Sequence, residues 1–106
     1  ISNSFAFDVA FRPDDRFVAV VFLLATAGQK LFIIPFDRSS GTLSSNFISP
    51  NVDPDSDTGA VDWSPDGRYL VTASRSTSAA NFISAYLFEN LALTRIGVSG
   101  ATGTAT

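Results

Sequence analysis

Asp53-Pro54-Asp55-Ser56-Asp57-Thr58-Gly59 is the stretch whose residue types and spacing come nearest to chemistry. Carboxylates at alternate positions, closed by a glycine, match the opening of a calcium loop, where hard oxygen donors alternate around the ion. The match is partial. Glycine falls at the seventh position instead of the sixth, and the twelfth is Ser64 instead of a bidentate glutamate. Calcium held by Asp53, Asp55 and Asp57 is therefore one reading, and a solvated acidic connection is the favoured one. No other cofactor is expected.

Catalysis has little to work with here. The chain contains no His and no Cys, which removes Ser-His-Asp and Cys-His triads, thiolate zinc sites and disulfides together. No pair of carboxylates is spaced for a glycosidase cleft. Trp63 and Tyr86 could stack on a sugar or a peptide, but both sit in strand patterns and read as core. Asp14, Asp15 and Asp66 fall in turns that explain them without catalysis. Asp8 and Asp62, on first strands of their units, are expected to face solvent or to pair with Arg16 or Arg68. No catalytic residue is expected.

The elements that position these residues are strands. Ser64-Pro65-Asp66-Gly67 has proline to preset φ at the second corner, aspartate at the third and glycine for the left-handed fourth. This is the pattern of a hairpin loop closed by a glycine bulge. Ala60–Trp63 precedes it, and Tyr69–Ser74 follows, β-branched and aromatic. An echo lies upstream: Phe11, Pro13, Asp14 and Arg16 match Trp63, Pro65, Asp66 and Arg68 at a constant 52-residue offset. Asp15 stands where the echo has Gly67, a tolerable exchange because Asp is one of the few other residues that visits positive φ.

Four strands are expected in each unit. In the first they are Phe5–Phe11, Phe17–Leu24, Lys30–Phe36 and Thr42–Ile48. In the second they are Ala60–Trp63, Tyr69–Ser74, Phe82–Phe88 and Leu91–Ile96. Phe17–Leu24 is apolar on both faces, which suits a strand covered on both sides. Pro35 predicts an edge or a bulge near it. No segment carries apolar residues at helical spacing with a cap. The organisation is a blade-like repeat over 1–48, an acidic connection over 49–59, a second repeat over 60–96, and a Gly/Thr-rich tail or linker over 97–106. Tight turns at Arg12–Arg16, Asp37–Gly41, Ser64–Gly67 and Glu89-Asn90 share one end. The looser loops 25–29, 49–58 and 75–81 share the other, which is the expected partner-binding end.

Composition narrows the class. At 106 residues with 45% apolar content the chain can form one ordinary core, and ten Phe suit the covering of a pleated face. A net charge of −3 with seven scattered Lys and Arg argues against nucleic acid. Phe17–Ala25 is about half a bilayer span, so no membrane-crossing helix is expected. Ile1 in place of Met reads as a processed chain or a piece of a longer one. An extracellular setting is expected over a cytoplasmic one.

Val61-Asp62-Trp63-Ser64-Pro65-Asp66-Gly67-Arg68 and Phe82–Glu89 resemble blades of the WD40-like and YVTN/lactonase-like β-propeller group. Phe32–Leu43, with its Asp37-Arg38-Ser39-Ser40-Gly41 turn, is similar to the lactonase-type third strand. The Gly-His and Trp-Asp dipeptides of standard WD40 repeats are absent, and Phe88-Glu89 falls where Trp-Asp would. The resemblance implies two four-stranded antiparallel propeller-type blades, and two blades cannot close a ring. It follows that two apolar sheet faces stay uncovered unless further blades or copies of the chain supply the cover, or the sheets close as a sandwich. The expected function is a non-catalytic structural or interaction module, with two alternatives. One is a fragment of a lactonase-like enzyme acting on sugar lactones. The other is a secreted protein polymerising through open strand edges.

Overall fold

The structure, a computed structural model, describes residues 5–24, 28–54, 58–74 and 83–99. It is all β. Two antiparallel meanders follow one another along the chain, each in sequential strand order. The first contains β1 (Phe5–Phe11), β2 (Phe17–Leu24), β3 (Gly28–Asp37) and β4 (Thr42–Leu43). The second contains β5 (Thr58–Trp63), β6 (Tyr69–Ser74), β7 (Ile83–Glu89) and β8 (Ala92–Ser99). The architecture is that expected of two consecutive propeller-like blades.

The repeat is visible in backbone detail as well as in residue types. Phe7 is the extra residue of a bulge in the β1–β2 ladder, and Gly59 is the extra residue in the β5–β6 ladder. These positions are also 52 apart. Both first hairpins close in the same way: Asp15 N–H donates to Arg12 O at 2.8 Å, and Gly67 N–H to Ser64 O at 2.9 Å. Asp15 and Gly67 both take positive φ, at 61° and 75°. In each turn the preceding aspartate accepts the next backbone N–H, Arg16 onto Asp14 and Arg68 onto Asp66. Side-chain chemistry local to four residues therefore sets both loops.

Several boundaries differ from expectation, each for a physical reason. The fourth strand pairs regularly only over Thr42–Leu43, and pairing resumes at an isolated bridge between Ile33 and Ile48. Pro35 sits opposite the gap. Its carbonyl accepts from Ser44 N–H at 2.9 Å, but it has no N–H to return, and the strand bulges out there. Ser44 Oγ then accepts Asn46 N–H at 3.0 Å, which turns the bulge locally. The last turn is Asn90-Leu91 and not Glu89-Asn90, since Glu89 pairs with Ala92. Gly97–Ser99 belong to β8, paired with Ile83–Ala85, so the expected tail begins later; residues 100–106 lie outside the described residues.

The two-residue turn has φ of 54° at Asn90 and 58° at Leu91, the type I′ geometry that matches strand twist. Asparagine tolerates this; leucine does not, and Leu91 is 65% exposed with nothing to gain by packing. Leu91→Gly should therefore stabilise the protein by about 1 kcal/mol, relieving the left-handed strain of a residue with a Cβ. Chemical denaturation checks it, and an unchanged or lowered midpoint would contradict the turn geometry.

One core lies between the sheets. Ala19, Val21, Leu31 and Ile33 of the first meet Val61, Trp63, Leu70, Tyr86, Phe88 and Leu93 of the second. β5 runs close to β1 and β2. The chain between the sheets straps the outer side: Asn51 N–H donates to Leu93 O at 3.1 Å and Arg95 N–H to Asn51 Oδ1 at 2.7 Å. Tyr86 Oη donates to Val52 O at 2.9 Å, so the buried phenol has its acceptor. The first half of the expected acidic connection is thus built into the second sheet.

Candidate interaction faces

Of the expected calcium ligands only Asp53 lies among the described residues. Asp53 Oδ2 accepts Lys30 Nζ at 2.9 Å, a half-exposed ion pair that ties the connection to β3. Asp55 and Asp57 lie outside the described residues. Among the described residues no cluster of three or more metal-ligating side chains occurs.

Asp8 and Asp62 part company. Asp62 is exposed. Asp8 is neither solvent-directed nor paired with an arginine, because it stands where the sheets meet. Its Oδ1 accepts Val9 N–H at 2.9 Å and its Oδ2 accepts Val61 N–H at 2.9 Å, on the side of β5 turned away from β6. One carboxylate thus caps outward-pointing N–H groups of both first strands, which would otherwise stand unpaired. The 52-residue offset pairs Asp8 with Ala60, not with Asp62.

Trp63 and Tyr86 are core, as their strand patterns predict. Trp63 Nε1 donates to Ala10 O at 3.0 Å across the sheets, and its ring meets Phe88 edge-on at 5.7 Å. Gln29 and Thr58, in loops expected to bind partners, are buried instead, joined by Gln29 Nε2 donating to Thr58 O at 2.7 Å. Residues 25–27, 55–57 and 75–81 of those loops lie outside the described residues, as does Phe82, the expected first residue of a strand.

Arg12 is the residue that sequence reasoning missed. Its guanidinium lies 4.8 Å from the Phe17 ring centre and 5.5 Å from that of Phe88, one ring from each sheet. Asp14 orients it through Nε and Nη2 at 3.1 and 2.6 Å. Its stem crosses Gly67, where an added Cβ would stand 3.1 Å from Arg12 Cγ. The pair Arg12–Asp14 looks like an ordinary local ion pair in sequence; only the third dimension brings Phe88 and Gly67 to it.

Three turn carboxylates are held below the usual carboxylate pKa of 3.8 by hydrogen bonds: Asp14 chiefly by Arg12, Asp37 by Ser39 and Asp66 by Ser64. A lowered folded pKa gives stability that is full above 3.8 and is lost as pH falls through the lowered values. Acid titration should therefore leave the melting temperature flat above pH 4 and depress it below. Asp66→Asn should flatten that decline. A protein whose stability falls already between pH 7 and 5 would contradict this.

A hollow of about 490 Å³ at the tight-turn end is lined by Arg16, Phe17, Phe36, Asp37, Arg38 and Ser39. Within it Ser39 Oγ and Ser39 N–H both donate to Asp37 Oδ1, at 2.7 and 3.0 Å, a bond pattern local to the Asp37–Gly41 turn. Of its two aromatic walls Phe17 packs inward on Phe88, and Phe36 belongs to a larger feature, the outer face of the first sheet. Phe11 packs edge-on to Phe36 at 5.1 Å, Phe22 meets Phe32 at 5.0 Å, and Phe32 meets Phe47 at 5.2 Å. Val9 is 60% and Phe11 52% exposed, whereas their repeat counterparts Val61 and Trp63 are 5% and 7% exposed.

No family model matches. No curated protein and no solved structure matches the chain either. The likeness to propeller blades therefore rests on the two meanders, their matched turns and bulges, and the sheet-on-sheet core. No helix among the described residues is long and apolar enough to cross a membrane.

Proposed function

We propose that the chain is a non-catalytic structural or interaction module of the WD40-like or lactonase-like propeller kind, completed by further blades or further copies of itself. One observation carries the reading: the first sheet exposes an aromatic and β-branched face whose counterpart on the second sheet is core. Contiguous apolar surface of this sort marks a docking site. Docking by faces is favoured over strand addition at edges. The outer edge of β8 already carries Pro50 and Asn51, and β4 offers two residues. A sugar-lactone hydrolase is the second reading, on the likeness of Phe32–Leu43 alone. The absence of histidine weighs against it. Neither calcium nor another cofactor is required by the module reading.

Fluorescence of 1-anilinonaphthalene-8-sulfonate in dilute protein tests the reading. Wild type should enhance it strongly and Phe11→Asp, at a half-exposed position, should abolish most of the enhancement. No enhancement in the folded wild type would overturn the module reading. Lactone hydrolysis by the purified chain would overturn the non-catalytic one.

A further inference from the structure

The covered interface inside the chain and the open faces outside it are built from the same positions. At the covered interface the first sheet presents Asp8, Ala10, Phe17, Ala19 and Ile33. The second answers with Val61, Trp63, Leu70, Tyr86 and Phe88. Moving the second set back by 52 residues gives Val9, Phe11, Val18, Ile34 and Phe36, the outer face of the first sheet. Moving the first set forward gives Ala60, Asp62, Tyr69, Val71 and Ala85, the outer face of the second. Even the receiving ring pair is repeated. Trp63 and Phe88 cross at 69°, and so do Phe11 and Phe36.

We infer that a second copy of this chain seats the outer face of its second sheet on the outer face of the first, continuing the internal interface head to tail. This rests on the module reading. Two exchanges between the repeats, each matched by the opposing face, point to a second copy. Ala60 replaces Asp8 and cannot cap an N–H across the junction. The N–H it would cap, that of Val9, is already held by Asp8 Oδ1 of its own chain. Ser64 replaces Arg12, so a small side chain stands where a long one did. It meets Asp15, which carries a side chain where Gly67 had none to admit the arginine stem. Large on small inside the chain becomes small on large between copies.

The junction puts Tyr69 on Phe36, as Phe17 lies on Phe88 at 5.0 Å inside the chain. It puts Val71, 40% exposed in the single chain, where Ala19 is fully buried. Each copy carries one donor face and one acceptor face, so the contact is heterologous. It closes into a ring if its rotation allows and otherwise extends.

Two blocked variants test this by sedimentation velocity. Phe11→Asp spoils the receiving face and Val71→Glu the donating face, both at exposed positions. Wild type should sediment above the monomer mass, rising with concentration. Each variant alone should be monomeric, and an equimolar mixture should form a species of twice the chain mass, because one intact face of each kind remains. Assembly of the wild type without pairing in the mixture would overturn the head-to-tail contact and leave the module reading standing. A wild type monomeric at every concentration would overturn the second copy as occupant. In that case dye enhancement lost in Phe11→Asp would mean that another partner covers the face. No enhancement would mean that the module reading fails too.

Discussion

Trp63→Ala is expected to destabilise the protein by about 3–5 kcal/mol, the range for truncating a buried aromatic. The indole fills the centre of the only sheet-on-sheet core among the described residues, against Phe88, and its N–H satisfies Ala10 O. Truncation removes the packing and leaves that carbonyl one donor short. With total stability of a small domain around 5–15 kcal/mol, much of the folded population is then at risk. Trp63→Phe keeps an aromatic ring of the kind its counterpart Phe11 carries. It loses chiefly the hydrogen bond, about 1 kcal/mol beyond any packing change. Phe11→Ala, at the same repeat position on the open face, should change the stability of the dilute chain by less than about 1 kcal/mol. Urea denaturation of the three variants checks the ranking. Equal losses at Trp63 and Phe11 would mean that the two faces are not covered and open as described.

Gly67→Val is the second large effect, for two separate reasons. Gly67 has φ of 75°, and forcing a residue with a Cβ into that region costs about 1–2 kcal/mol, more when the side chain is branched. The new Cβ would also stand 3.1 Å from Arg12 Cγ, so the arginine must move off Phe17 and Phe88. The loss of a partly desolvated cation–π contact adds about 1 kcal/mol. A total near 3 kcal/mol is expected. Combining it with Arg12→Ala should cost less than the sum of the two, since both remove the same clamp. Strict additivity in that cycle would separate the turn from the sheet interface and contradict the placement of Arg12.

The turns and the repeat were legible in the sequence because their causes are local. Pro65, Asp66 and Gly67 act within four residues, and the same chemistry at Pro13, Asp14 and Asp15 gives the same loop. The double-faced apolar β2 was legible in part. Ala19 and Val21 are buried on one face and Val18 on the other, while Val20 and Phe22 are only half covered because no second sheet lies over them. What could not be read depends on partners far along the chain. Asp8 finds Val61, Arg12 finds Phe88, and Tyr86 finds Val52. Gly97–Ser99 looks like a tail by composition and is a strand because Ile83–Ala85 offers it a ladder. Leu91 at positive φ carries no sequence signal at all, since turn chemistry would place glycine or asparagine there.

Hydroxyl-radical footprinting across a dilution series tests the central claim most directly, that equivalent faces of the two repeats are covered in one and bare in the other. In dilute protein Phe11 and Phe36 should oxidise readily while Trp63 and Phe88 stay protected, and Phe11 and Phe36 should gain protection as concentration rises. Oxidation of Trp63 as fast as Phe11 in the dilute folded chain would contradict the account.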